Sequence, residues 1–194
     1  MTMNLAYGSI VNSAMRRLFI LFILTANFKC YSQNEYIDPL NLTWADYKGR
    51  VEPFSPYMAV TAARISLGCD TINGVEYYPV SVDFLRDRSW VDFQKSLIGG
   101  LLNSFYLLDH ERLHYYISIY FARMLKVYVL KTNPKTFQER YNLMTSFNKQ
   151  TQDMDDLYDL ETDHSKNKIN QQKWNEKVMA EINSTNGMIL DLSK

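Results

Sequence analysis

Leu107-Leu108-Asp109-His110-Glu111-Arg112-Leu113-His114 stands inside a stretch, from about Asp92 to Lys131, that no proline interrupts. Leu107, His110, His114, Ile117, Phe121, Met124 and Tyr128 recur at helical spacing along one stripe, and Phe105, Leu108, Tyr115, Ile119 and Ala122 along another. A helix apolar on nearly all sides is a core helix, so this stretch predicts a long central helix that the rest of the chain must cover.

The cover is readable on both sides. Upstream, Tyr57–Cys69 is rich in β-compatible residues, Asn73-Gly74 is a tight-turn signal, and Val75–Leu85 alternates so that Tyr78, Val80, Val82 and Phe84 share a face. This predicts a β-hairpin in a small antiparallel sheet. Before it, Asn41–Gly49 reads as a short edge-like segment with Trp44 and Tyr47 as core candidates, and Pro53 and Pro56 enforce a loop. Downstream, Asn133-Pro134 reads as the cap and first residue of a second helix reaching about Gln150. Asp153–Leu160 adds a further turn or two, and Lys166–Ile182 a last helix bearing Trp174, Val178 and Ile182. Strands first and helices after make the expected fold α+β.

The 194 residues and 22.8 kDa suit one domain with its own core, expected over residues 33–194. Before it, Met15-Arg16-Arg17 and the apolar run Leu18–Ala26 have the layout of a secretory signal peptide, residues 1–32, with cleavage expected after Ser32. Nine apolar residues are too few for a membrane-crossing helix, which takes about 20. Residues 1–32 hold three bases and no acid, so the expected exported chain has 18 bases against 21 acids. That mild acidity argues against nucleic acid as a partner. Cys30 would leave with the signal, and Cys69, left alone, is expected as a buried apolar filler.

The chemistry lies in His110-Glu111-x-x-His114. Histidines four apart stand one turn above each other, so both imidazoles can reach one metal ion and Glu111 can reach its water. This is the zincin pattern, and Zn²⁺ is the expected cofactor. With 3 His and 8 Glu in the chain, a shuffled sequence would show the spacing only about once in 500 trials. Two imidazoles and a carboxylate among apolar neighbours also cost several kcal/mol unless a cation or partner meets them. Arg112 must therefore point outward or pair with an acid. A catalytic zinc needs a third protein ligand and an open position. His164 is favoured, because imidazole suits zinc and because Ile117 and Tyr120 stand where the extended metzincin motif has glycine and histidine. Glu139, 25 residues past His114, and Asp159 or Glu161 remain the competing carboxylates.

The chain resembles the bacterial domain-of-unknown-function family of predicted secreted zinc-dependent proteases, over about Leu42 to Ile182. The residues that carry the resemblance are Leu42–Gly49, Ala59-Val60-Thr61-Ala62, Ser89-Trp90-Val91, Leu107–His114, and Tyr158-Asp159-Leu160-Glu161-Thr162-Asp163-His164 with Gln172 and Trp174. The family's usual Thr-x-His-Gly ends here in Ser165. The resemblance implies export and a small antiparallel sheet packed on a zincin-like helical half with a long buried active-site helix.

Motif, apolar helix and export signal together predict an exported zinc metallohydrolase, a peptidase acting on a protein or peptide substrate. His110, His114 and His164 would hold zinc, and Glu111 would take the water's proton and deliver it to the leaving amine. Tyr158, Tyr115 and Tyr116 are the candidate oxyanion donors. Asp109, Asp163 and Glu161 are candidate partners for a ligand imidazole, their plainer role being that of solvated helix-end acids. The rival expectation is a non-catalytic exported or envelope-associated binding protein whose structural zinc is closed by four protein ligands.

Overall fold

Asn73 and Gly74 both take positive φ, 52° and 80°, as a two-residue turn matched to the strands' right-handed twist requires. The computed structural model describes residues 36–98, 104–185, 187, 188 and 190; the segment expected as a signal, residues 1–32, lies outside them. From the turn, β3 (Asp70–Ile72) pairs with β4 (Val75–Tyr77) and β2 (Ala63–Leu67) with β5 (Val80–Phe84), both antiparallel. The register set at Ile72↔Val75 runs unslipped to Ala63↔Phe84, carried across the gap by the hydrogen bond from Gly68 N to Pro79 O. Beyond Phe84 the chain turns, and β1 (Ala59–Val60) pairs with β6 (Trp90–Val91), with the pairing offset by three residues. Ser89 Oγ locks that corner, donating to Leu85 O and accepting from Ala62 N. The expected single strand over Tyr57–Cys69 is thus two, broken at Thr61-Ala62.

Tyr78, Val80, Val82 and Phe84 are all buried, as their alternation predicts. Cys69 is exposed, because the hairpin's tip runs out past the helices and β3 buries nothing. Asn41–Gly49 is not a strand edge but follows one 3₁₀ turn (Pro39–Asn41) into another (Trp44–Asp46). The Asp46 carboxylate accepts from both the backbone N–H and the hydroxyl of Thr43, which closes the second turn locally. Tyr47 is buried all the same, edge-on to Trp44 and Phe84.

The helical half begins with the short α1 (Phe93–Ile98) and continues in α2 (Ser104–Thr132), with residues 99–103 outside the description. α2 is the predicted core helix. Leu107, Leu108, Leu113, Tyr115, Ile117, Ile119, Ala122 and Leu125 are buried, and strands β1, β2 and β5 cover it on one side, α3 (Phe137–Thr162) and α4 (Lys168–Ser184) on the other.

Asn133 ends α2 rather than opening α3. It takes φ 49° and donates its N–H to Val129 O, the left-handed cap that Asn tolerates. Thr136 is the cap of α3: its hydroxyl accepts from Glu139 N while the Glu139 carboxylate accepts from Thr136 N, a reciprocal capping box. α3 then runs on through residues 150–153, where a break was expected. The polar residues there are paired within the helix, Thr151 to Phe147 O, Lys149 to Asp153 and Gln152 to Asp156, the i to i+4 pairing that supports a helix. α4 is capped by Asn167 and buries Trp174, Val178 and Ile182 as predicted.

Candidate metal centre

One helical turn separates His110 from His114 on α2, and one helical turn separates Asp155 from Asp159 on the facing helix α3. His110 meets Asp159, and His114 meets both acids. The Nε2 atoms of His110 and His114 lie 3.1 Å and 3.2 Å from the same oxygen, Oδ1 of Asp159. Donor atoms of these three residues all fall within 4.8 Å of one another. Ligands bound about 2.0–2.1 Å from a tetrahedral ion stand roughly 3.3 Å apart, so this group could hold a metal ion, although the two separations from Asp159 also suit hydrogen bonds.

The other face of each imidazole is held. His110 Nδ1 lies 2.8 Å from Oε1 of Gln171, on α4. The Gln171 amide nitrogen donates to Tyr158 Oη and to Asn175 Oδ1, so its carbonyl oxygen is the end turned to His110, and His110 Nδ1 carries the hydrogen. His114 Nδ1 lies 2.9 Å from Oδ1 of Asp155, an acceptor that again takes an Nδ1–H. A neutral imidazole so held presents a lone pair at Nε2. Two such lone pairs then face one carboxylate oxygen, an arrangement that repels unless a proton or a cation lies between them. This is the orientation in which ligand histidines are fixed by a second hydrogen bond.

The electrostatics agree. Burial works to lower the His114 pKa, but the hydrogen bonds to Asp155 and Asp159 overcome it and hold the imidazole well above its ordinary 6.5. Burial works to raise the Asp159 carboxyl, yet its hydrogen bonds with His110 and His114 hold it far below the usual carboxylate range.

Glu111 is 3% exposed, and among the described residues its Oε2 has no hydrogen-bond partner. A buried carboxylate oxygen left bare costs free energy unless water or an ion meets it. It lines a cleft of about 500 Å³ together with His110, His114 and Asp159, and the opposite wall is the run from Pro56 to Thr61 that contains β1. Burial and the nearby Glu111 charge push the Tyr47 phenol well above its ordinary value.

His164 lies on the same cleft but apart from the converging atoms. It follows the end of α3 in a turn where Asp163, His164 and Ser165 all take positive φ, 48°, 48° and 74°. Its ring is 46% exposed, lies edge-on against Tyr57 at 5.2 Å, and places Nδ1 3.5 Å from Oδ2 of Asp159, whereas His110 and His114 approach Oδ1. The other carboxylates weighed as ligands are committed elsewhere: Glu139 caps α3, and Glu161 accepts from the Trp174 indole.

Arg112 pairs with an acid, as expected, at Asp109 2.9 Å away, and donates to the Leu42 carbonyl. That removes Asp109 as an imidazole partner, and the Asp163 carboxylate pairs with Lys166 3.5 Å away. The groups that orient the imidazoles are instead Asp155 and Gln171. The signal for Asp155 was its spacing of four from Asp159, both inside the helical turns expected at Asp153–Leu160; what the sequence did not show was that this face meets α2. None of the expected oxyanion tyrosines opens on the cleft. Tyr158 is fully buried with its hydroxyl given to His110 O, Tyr115 is buried with its hydroxyl accepting from Ile37 N, and Tyr57 is the tyrosine on the cleft wall.

Searches against protein-family models, curated proteins and solved structures found no match for this chain.

Proposed function

We propose that this chain is an exported zinc-dependent hydrolase acting on peptide bonds. The observation that carries the reading is the meeting of His110 Nε2, His114 Nε2 and Asp159 Oδ1 beside a buried carboxylate, Glu111, with an unpartnered oxygen. A donor set of two imidazoles and one carboxylate, each imidazole braced from behind, suits zinc. When bound, the ion supplies a Lewis acid that polarises the scissile carbonyl and acidifies water.

The chain's own residues supply the rest. Glu111 accepts a proton from the attacking water through its free oxygen and returns it to the leaving amine. Gln171 and Asp155 keep the imidazole lone pairs turned inward. The cleft wall from Pro56 to Thr61 gives an extended substrate a place to lie. Export rests on the Met15–Ala26 pattern, and kinship with predicted secreted zinc-dependent proteases rests on the residues quoted above.

Glu111→Gln tests the reading. In hydrolysis of fluorogenic peptides by the zinc-loaded protein, turnover should fall about 10²–10⁴-fold while zinc content is kept. Activity that survives the substitution would overturn the assignment of Glu111.

A second reading, a non-catalytic exported binding protein with structural zinc, is favoured by the placement of His164 beside Asp159. A fourth protein ligand would close the shell. Cobalt substitution separates the two. Spectra that shift when a hydroxamate is added indicate an open position, and spectra that do not shift indicate a closed one.

A further inference from the structure

A second cavity of about 400 Å³ opens on the β2 side of the cluster and shares Thr61, His114, Gln152 and Asp155 with the main cleft. Its remaining wall carries Arg64, Arg88, Ser118 and Asn148. The charges across the two cavities are unequal. In the main cleft, Glu111, Asp155, Asp156 and Asp159 are the acids, and the lysine there, Lys166, is paired with Asp163. In the second cavity Asp155 is the acid, and its Oδ1 is held by His114. Arg64 is neutralised by Asp83, which is buried, at 2.9 Å. Arg88 is exposed, and among the described residues its guanidinium has no hydrogen-bond or ion-pair partner.

We propose that this second cavity is a recognition site for a carboxylate carried by the ligand bound at the metal centre, with Arg88 as its specificity-determining residue. The inference rests on the metal reading above and adds to it the class of substrate. A carboxylate in the main cleft would face Asp156 and Glu111, whereas in the second cavity it meets an unpaired guanidinium, which binds carboxylates by paired N–H donors. Ser118 and Asn148 offer further polar groups on the same wall. Peptides acidic next to the scissile bond and peptides ending in a free carboxylate share this chemistry.

The test uses the zinc-loaded full chain and three hydroxamate-capped dipeptides. One has a free C-terminus and no acidic side chain, one is C-terminally amidated with a glutamate, and one is amidated with glutamine in its place. Dissociation constants are measured by calorimetry for the native protein and for Arg88→Glu, with zinc stoichiometry recorded for both. A carboxylate probe should bind about tenfold more tightly than the glutamine probe, and Arg88→Glu should abolish or reverse that preference. Which of the two carboxylate probes wins identifies the source, side chain or terminus. Zinc bound one per chain with equal affinities for all three probes, or a preference unchanged in Arg88→Glu, would overturn this inference alone. Failure of the native chain to bind zinc would overturn it together with the metal reading.

Discussion

His114 carries the proton that a metal ion at this site would have to displace. Two carboxylates hold its pKa above 6.5 against the opposing pull of burial, so the folded chain binds that proton more tightly than the unfolded chain does. The resulting stabilisation is fully present below about pH 6.5 and is lost as pH rises through the raised folded value. Zinc must displace the same proton, so its affinity should increase with pH and go on increasing above 6.5, where an ordinary imidazole ligand would level off. Competition with a chromophoric chelator between about pH 5.5 and 8.5 measures this, and a plateau from 6.5 upward would contradict the role given to Asp155 and Asp159. The braces behind the imidazoles carry a related expectation. Asp155→Ala and Gln171→Leu should each weaken zinc binding about 10–100-fold, with the metal-free fold monitored by circular dichroism. Undiminished affinity in both would show that the second hydrogen bonds do not position the ligands.

At the scale of the element, helix ends decide where the site residues point. α3 closes with Asp163 N to Leu160 O and His164 N to Asp159 O, the pair of bonds of a Schellman ending. That turn carries the chain away from the α3 axis at His164, which is why the ring reaches Asp159 from the outer side. Ser165, at φ 74° and buried, occupies a conformation that glycine takes freely, and among the described residues its hydroxyl has no partner. Ser165→Gly should therefore stabilise the chain by about 1 kcal/mol in chemical denaturation; a loss of stability would show that the side chain is needed where it is. Thr136→Ala, which opens the capping box of α3, should cost about 1 kcal/mol by the same measurement.

These ends also mark what the sequence made legible. The α2 core helix followed from its two apolar stripes, and the hairpin followed from Asn73-Gly74 and the alternation after it. Asn133-Pro134 misled because both residues can stand at either end of a helix, and only the reciprocal pair Thr136 and Glu139 settles which. The 3₁₀ turns around Trp44 were hidden because they rest on the local pairing of Thr43 with Asp46 rather than on any periodicity.

On the scale of the whole molecule, the site joins parts distant in sequence. α2 gives two imidazoles and Glu111, α3 gives Asp159 and Asp155, α4 gives Gln171, and the run containing β1 gives the opposite wall. The motif on α2 could be read because its spacing is local. Which residue between Tyr158 and His164 faces it could not, because that depends on the phase and length of α3 and on how the helices pack. A cation held between α2 and α3 should tie the fold together. Zinc at 100 times its dissociation constant should add about 2.7 kcal/mol to stability, seen as a raised melting temperature that a chelator reverses.

The most direct test is zinc content and affinity, measured together on the native chain, Asp159→Ala and His164→Ala. The account predicts one zinc per native chain, lost or weakened at least about a hundredfold in Asp159→Ala and much less affected in His164→Ala. A native chain that holds no zinc after loading and removal of excess, or an Asp159→Ala variant that binds as the native chain does, would contradict it.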